Sequence, residues 1–312
     1  MTAVGRSRLA PADWRPSCPV ATLRERGRLL AEIRGFFAAR DVLEVQTPAL
    51  GRRTVLDPAL DSIATRDGRY LQTSPEYHMK RLLAAGAPSI YQIGPAFRDG
   101  EAGRWHNPEF TILEWYRVGF DAPALMAEVA ALVDSLLGHA PYGSVACADL
   151  LRERFGIDID NTEALIELGS TLGLDEPTLD EALDLALAEA LSSRAESRVF
   201  VTGFPAALAA LARVGDEGSA ERFELIVEGV EVANGYHELT DAAELAARME
   251  ADVERRRVLG KTGPAPDEAL LAAHQHGLPD CAGVAMGLDR LLMLKVGATS
   301  LAEVMAFSWD RA

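Results

Sequence analysis

The chain has 312 residues, of which 48% are hydrophobic and 25% charged, with a formal net charge of -16 at pH 7. That length and apolar content supply core enough for one large domain or two, and the absence of a long apolar run argues against a membrane-bound or exported chain. An acidic excess of this size opposes a partner gripped through its phosphates, which would need a basic face.

Residues 1 to 20 contain prolines and no apolar stretch, so they read as a flexible arm of a cytoplasmic protein. Cys18, Cys147 and Cys281 lack paired spacing, which suits reduced thiols. Thr22 to Arg40 is expected to be a helix, with Thr22 and Glu25 in a capping-box pattern and Leu29, Leu30, Ile33, Phe36 and Phe37 on one face. Val42 to Thr47 follows as a short strand stopped by Pro48. Leu71 to Glu76 runs from strand into a helix whose first turn holds Pro75 and Glu76, a placement that either caps the helix or presents the carboxylate to a ligand.

Ile90 to Arg98 and the apolar run after Asn107 predict two antiparallel strands joined by a polar loop, Asp99 to Asn107. Alternation puts Phe110, Ile112, Glu114 and Tyr116 on one face, which is either a solvated hairpin face or a floor for a flat, phosphate-bearing ligand. From Ala122 to about Ser197 the composition turns helical, with helices at Ala124 to Leu137 and Leu179 to Leu191, and reads as packing scaffold. Arg198 to Phe204 resumes strand character. Glu228-Gly229 then turns a hairpin in which Val227 faces Val230 and Ile226 faces Glu231. In that register Glu224 and Glu231 are diagonal neighbours, roughly 7 to 8 Å apart. They are either surface carboxylates or a pair able to share Mg2+. Asp241 caps a helix running to about Val258, and Asp280 to Leu294 is a glycine-rich strand entering a helix at Gly287. The clusters Arg52-Arg53 and Arg255-Arg256-Arg257 read as solvated charge.

Phe97-Arg98 with His106-Asn107-Pro108-Glu109-Phe110 resembles motif 2 of the class II aminoacyl-tRNA synthetases in its lysyl form. The strand before Pro48 resembles motif 1, and Asp280 to Leu294 resembles motif 3. The resemblance implies an α+β fold, an antiparallel sheet flanked by helices in a single catalytic domain over 1 to 312, a helical insertion at about 122 to 197, and a homodimer. It implies ATP as substrate with Mg2+ on Glu224 and Glu231, and charge neutralisation by Arg98 and Arg290. It implies Phe110 stacked on adenine, with Asn107 and Gly287 fixing the nucleotide and Asp99, Gly100, Glu101, His106 and Val232 beside it. Ser74, Pro75 and Glu76 would touch the amino acid, with Asn234 on its carboxylate and Glu238 on a side-chain ammonium, Tyr116 being the partner of Glu238.

Two positions depart from the family pattern: the motif 2 acid is displaced to Glu101, and Trp105 replaces an arginine, with Arg104 as the candidate stand-in. No anticodon-binding barrel precedes motif 1. In these respects the chain is similar to shortened lysyl-tRNA synthetase paralogues, which attach (R)-β-lysine to a lysine of elongation factor P. Ala285, where the synthetases have glycine, suits a β-amino acid better than lysine itself. The competing expectations are a truncated lysyl-tRNA synthetase, a regulator without activity, and a small-molecule amino-acid ligase on the same fold.

Overall fold

The structure is a computed structural model that describes residues 14–191, 197–215, 218–261 and 263–312. The first helix, α1 (Val20–Ala38), starts two residues earlier than expected, behind an extended Pro19 with no side-chain cap. Thr22 therefore lies inside the first turn, its N–H bonded to Pro19 O at 3.0 Å, and Glu25 pairs with Arg28 instead of completing a capping box. Where it is described, the expected flexible arm is packed on the body. Residues 1–13 lie outside the described residues, but Ser17 N donates to Ala306 O at 2.7 Å and Cys18 is buried, so the stretch before α1 packs on the C-terminal segment.

The expected strand Val42 to Thr47 is reduced to β1 (Leu43–Glu44), because past Val45 the chain leaves the ladder and Thr47 N–H turns to the Gln92 side chain. A two-stranded ribbon, β2 (Leu50–Gly51) and β3 (Tyr70–Leu71), leads into α2 (Glu76–Ala84). The predicted hairpin is β4 (Ile90–Phe97) and β5 (Glu109–Val118), antiparallel from Ile90 opposite Tyr116 to Phe97 opposite Glu109. Next comes α3 (Ala122–Leu137), capped by Asp121. The insertion that follows is not wholly helical: β6 (Gly143–Ala146) pairs parallel with β7 (Arg198–Pro205), and α4 (Cys147–Phe155), α5 (Thr162–Thr171) and α6 (Leu179–Leu191) lie between them. With four residues, β6 is too short to stand out against the Ala- and Leu-rich helices around it.

The second hairpin is β8 (Ser219–Val227) and β9 (Val230–His237), followed by α7 (Ala242–Val258) with Asp241 Oδ1 accepting from Glu244 N, then α8 (Glu268–Gly277), β10 (Cys281–Gly287) and α9 (Leu288–Val296). Eight strands form one sheet in the order β1-β4-β5-β10-β9-β8-β7-β6, antiparallel except at its two outer pairs. This is an α+β architecture. β10 lies at its centre, and alternation sorts that strand: Ala282, Val284 and Met286 join a core built with Leu29, Ile33 and Phe37 of α1 and Leu125 and Val129 of α3. Gly283, Ala285 and Gly287 point the other way, so a cleft can sink into the sheet where the side chains are smallest. Among the described residues no helix is long and apolar enough to cross a membrane.

Candidate active site

Pairing across the sheet sets out the cleft floor in rows. One row runs Tyr116, Gly283, Tyr236, Arg222, and the next runs Glu114, Ala285, Asn234, Glu224. These groups line one cavity of about 360 Å³. Gly283 is required by the row it occupies. A Cβ there would lie 2.3 Å from a Tyr116 ring carbon and 2.4 Å from Glu238 Oε1, so only glycine lets these two side chains converge.

The deep end of the cavity is lined by three carboxylates, with one ammonium buried behind two of them. Tyr116 OH donates to Glu114 Oε1 at 2.8 Å, Ser74 Oγ donates to Glu114 Oε2 at 2.7 Å, and Glu76 N donates to Ser74 Oγ at 3.0 Å. Burial, and then the charge of Glu76, push the Glu114 carboxyl up to about 8. Lys80, 1% exposed, reaches Glu76 Oε1 at 2.7 Å and Glu238 Oε2 at 2.6 Å. Burial would lower the Lys80 pKa, but Glu238 and Glu76 outweigh it and push it up; burial raises that of Glu238 against the pull of Lys80.

The outer half is built for negative charge. Arg98 lies 3.7 Å from Glu101, its guanidinium 5.0 Å from the centre of the Phe110 ring, and its Nε is buried without a partner. Arg290 donates to Glu231 O at 2.9 Å, to Glu231 Oε2 at 3.2 Å and to His106 Nε2 at 2.9 Å. That last bond needs a lone pair on Nε2, which burial and then Arg290 favour by lowering the His106 pKa. Glu224 accepts from Arg222 at 2.6 Å and from Asn234 at 3.2 Å. Burial raises its pKa, opposed by Arg222 and assisted by Glu231.

Glu224 and Glu231 do line the same cavity, by a route the sequence concealed. A bulge at Val232 shifts the register, so that Glu224 lies opposite Asn234 and no longer opposite Ala233, while Ile226 still faces Glu231. Two residues of β9 then oppose one of β8, which brings Glu231, Val232 and Asn234 all to the cleft. Among the described residues no three His, Cys, Asp or Glu side chains form a metal cage.

Of the other expected site residues, Gly287 and Ala285 line the cavity, whereas Pro75, Asp99 and Gly100 do not. Pro75 is the cap residue of α2, Asp99 N bonds Asp61 O at 2.8 Å, and Gly100, at φ +77, makes the turn that swings Glu101 inward. Asn107 lines the cavity but spends its side chain on backbone, donating to Glu109 O at 2.6 Å and accepting from Trp309 N at 3.0 Å. Arg104 is no stand-in for the missing motif 2 arginine: it bonds Thr299 O at 2.6 Å and stacks over Trp105.

The arginine cluster is solvated surface at Arg257 but not throughout. Arg256 is 5% exposed and binds the carbonyls of Asp57 and Leu60 and the carboxylate of Asp61, while Arg255 lines the cavity. Nor is the insertion only scaffold. Asp180 and Asp184 of α6 reach the cavity wall, and burial pushes Asp184 up to about 6 against the pull of Arg222. Sequence reasoning passed over Lys80, Gly283, Asp180 and Asp184. Lys80 falls four residues after Glu76, the spacing of an ordinary surface helix pair, so only its burial gives it away.

The sequence profile of the tRNA synthetases class II (D, K and N) matches residues 9–311. Proteins named elongation factor P–(R)-β-lysine ligase from Photorhabdus laumondii, Edwardsiella ictaluri and Vibrio cholerae are 46%, 45% and 43% identical to the chain, each alignment covering 96% of this chain and 99% of the relative. With motifs 2 and 3 gathered around one cleft and the profile matched over nearly the whole length, the chain belongs to the class II tRNA synthetase family of the D, K and N group.

Proposed function

We propose that the chain is an ATP-dependent ligase that activates (R)-β-lysine, or lysine, as its adenylate and transfers it to the ε-amine of a lysine on elongation factor P. The observation that carries this reading is the division of one cleft into a deep end with three carboxylates and an outer end with two arginines and two glutamates. A diamino acid would place its ammonium groups in the first part and its carboxylate toward the second. The full-length likeness to ligases of that name supports the amino acid and the acceptor.

In the first step a carboxylate oxygen of the amino acid attacks the α-phosphorus of ATP, the bond to the β-phosphate oxygen breaks, and pyrophosphate leaves. Arg98 and Arg290 neutralise the charge that develops, and no protein base is needed. The unpartnered Arg98 Nε is a donor of the kind such a ligand would satisfy. Phe110 provides the adenine platform, with His106 holding Arg290 in place and Gly287 and Val232 beside the nucleotide. Glu224 and Glu231 would hold Mg2+, which supplies charge neutralisation on the phosphates. In the second step the acceptor amine, once deprotonated, attacks the carbonyl carbon; the bond to the phosphate oxygen breaks, AMP leaves and an amide forms.

At the deep end Glu238 and Glu76 select for ammonium groups, because a substrate lacking one leaves a buried acid unpaired; Tyr116, expected as the partner of Glu238, instead donates to Glu114, as Ser74 does. Asn234 has its Nδ2 on Glu224 and its buried Oδ1 without a partner. The second N–H of Nδ2 is the donor that would meet a substrate carboxylate. We place the enzyme in the cytoplasm as a homodimer, and tRNA outside its acceptors.

The test is to incubate enzyme, ATP and Mg2+ with labelled (R)-β-lysine and either purified elongation factor P or total tRNA. Label is expected in the protein acceptor. Label in tRNA alone would replace this reading with tRNA charging.

A further inference from the structure

Lys80 has no part in the scheme above, yet its ammonium is buried behind two acids of the cavity lining, with one oxygen of Glu76 and one of Glu238 at ion-pair distance. Each carboxylate keeps its second oxygen; Glu238 Oε1 lies toward Gly283 and the cleft. The other titratable groups facing this cluster change its charge little. Tyr116 and Tyr236 on β5 and β9 and Cys281 on β10 are pushed up by burial and stay neutral. His274 on α8 is pulled down by burial and, more weakly, by Lys80. Tyr77, beside Glu76 on α2, is pushed up by burial. His237 faces away from the cavity between Glu221 and Asp280.

The local count is then Glu76, Glu114 and Glu238 against Lys80. With all three acids ionised the deep end carries two uncompensated negative charges, which is what the two ammonium groups of a diamino acid supply. A low-polarity pocket tolerates little residual charge, so the count is an energetic constraint.

We propose that Lys80 is a positioning residue that sets the charge capacity of the amino-acid pocket: it neutralises one of three buried carboxylates, so that a substrate with two ammonium groups completes the balance. Before the substrate arrives, a proton on Glu114 relieves one of the two surplus charges, and binding expels it to solvent. Lys80 also fixes the separation of Glu76 and Glu238 by bridging them. This inference rests on reading the cavity as a diamino-acid pocket.

Calorimetric titration of the full chain with (R)-β-lysine at pH 7, in two buffers of different ionisation enthalpy, counts protons released on binding. Release of about one proton is expected for the wild type. Lys80→Met should bind about tenfold more weakly or worse with no greater proton release, because Glu76 and Glu238 must then share a proton that has to stay in the complex for two ammonium groups to balance the pocket. The double variant Lys80→Met with Glu76→Gln restores the count, and its affinity should recover part of the loss. Should Lys80→Met fail to fold, the double variant, relieved of the surplus charge, is expected to fold, and failure of both would overturn the proposal. Unchanged affinity in Lys80→Met, or no recovery in the double variant, would overturn the role of Lys80 while leaving the diamino-acid reading intact. A wild type that binds neither (R)-β-lysine nor lysine would remove both.

Discussion

Ala285 shows how one methyl group acts on the floor of the cleft. It lies directly between Glu114 and Asn234 in register, so its Cβ projects among the groups that would meet the amino-acid backbone. Small changes of this kind are worth roughly 1 to 3 kcal/mol, enough to shift a preference without excluding a competitor. Ala285→Gly should therefore raise the rate of pyrophosphate exchange with lysine relative to (R)-β-lysine by about tenfold. An unchanged ratio would mean that the methyl does not touch the amine. Glu114 makes a second residue-scale prediction. Its carboxyl titrates near 8 in the folded chain against a reference value of 4.5, so between those values the folded state holds a proton that the unfolded state has lost. The unfolded state binds fewer protons there, and stability falls as pH rises through that window, by up to about 1.4 kcal/mol per pH unit. Glu114→Gln should flatten the decline in denaturant midpoint between pH 5 and pH 8. A slope equal to the wild type would show that other groups set it.

Among the elements, the C-terminal turn of α7 does the least expected work. Arg256 and Lys261 together hold the segment Asp57–Asp61, four residues of which line the cavity. Removing the guanidinium would leave the part-buried Leu60 carbonyl without its donor, whereas the Asp57 carbonyl keeps Leu60 N–H, at a cost of roughly 1 kcal/mol. Arg256→Met is accordingly expected to lower thermal stability and to raise KM for ATP or the amino acid, since the loop forms cavity wall. A stable variant with unaltered KM would show that the loop keeps its place without Arg256. The β8–β9 bulge illustrates the same dependence on backbone detail: one extra residue at Val232 carries Glu231 and Asn234, three apart in sequence, onto one face.

At the scale of the molecule, the acidic excess behind the net charge of -16 extends into the cleft, where Arg98, Arg222, Arg255 and Arg290 stand among a larger number of carboxylates. The edge of the sheet at β1 leaves Leu43 51% exposed, and Val20 at the start of α1 is 60% exposed. Apolar groups at a sheet edge are natural contacts for a second copy, in keeping with the proposed homodimer. Sedimentation equilibrium at micromolar concentration should give twice the chain mass, and Leu43→Glu should shift the chain toward a monomer. A monomeric wild type would leave that edge to some other partner.

The parts of this protein that sequence alone determined are those governed by local periodicity and short-range order. The β4–β5 and β8–β9 hairpins, the shared face of Phe110, Ile112, Glu114 and Tyr116, the helix after Asp121 and the entry of β10 into α9 all follow from alternation and turn chemistry, and the motif residues Arg98, His106, Phe110, Glu238 and Arg290 could be named from their order. Tertiary structure decided what depends on distance between remote segments. Burial turned Lys80 from a helix-surface charge into a bridge between two acids and Arg256 from surface charge into a loop clamp. The insertion became part of the cavity wall through Asp180 and Asp184. Gly100 took Asp99 out of the site and put Glu101 into it. In each case the cause is the same: the free energy of a charge is set by which groups lie within a few ångströms of it and how much water remains, and neither quantity is a property of the neighbouring sequence.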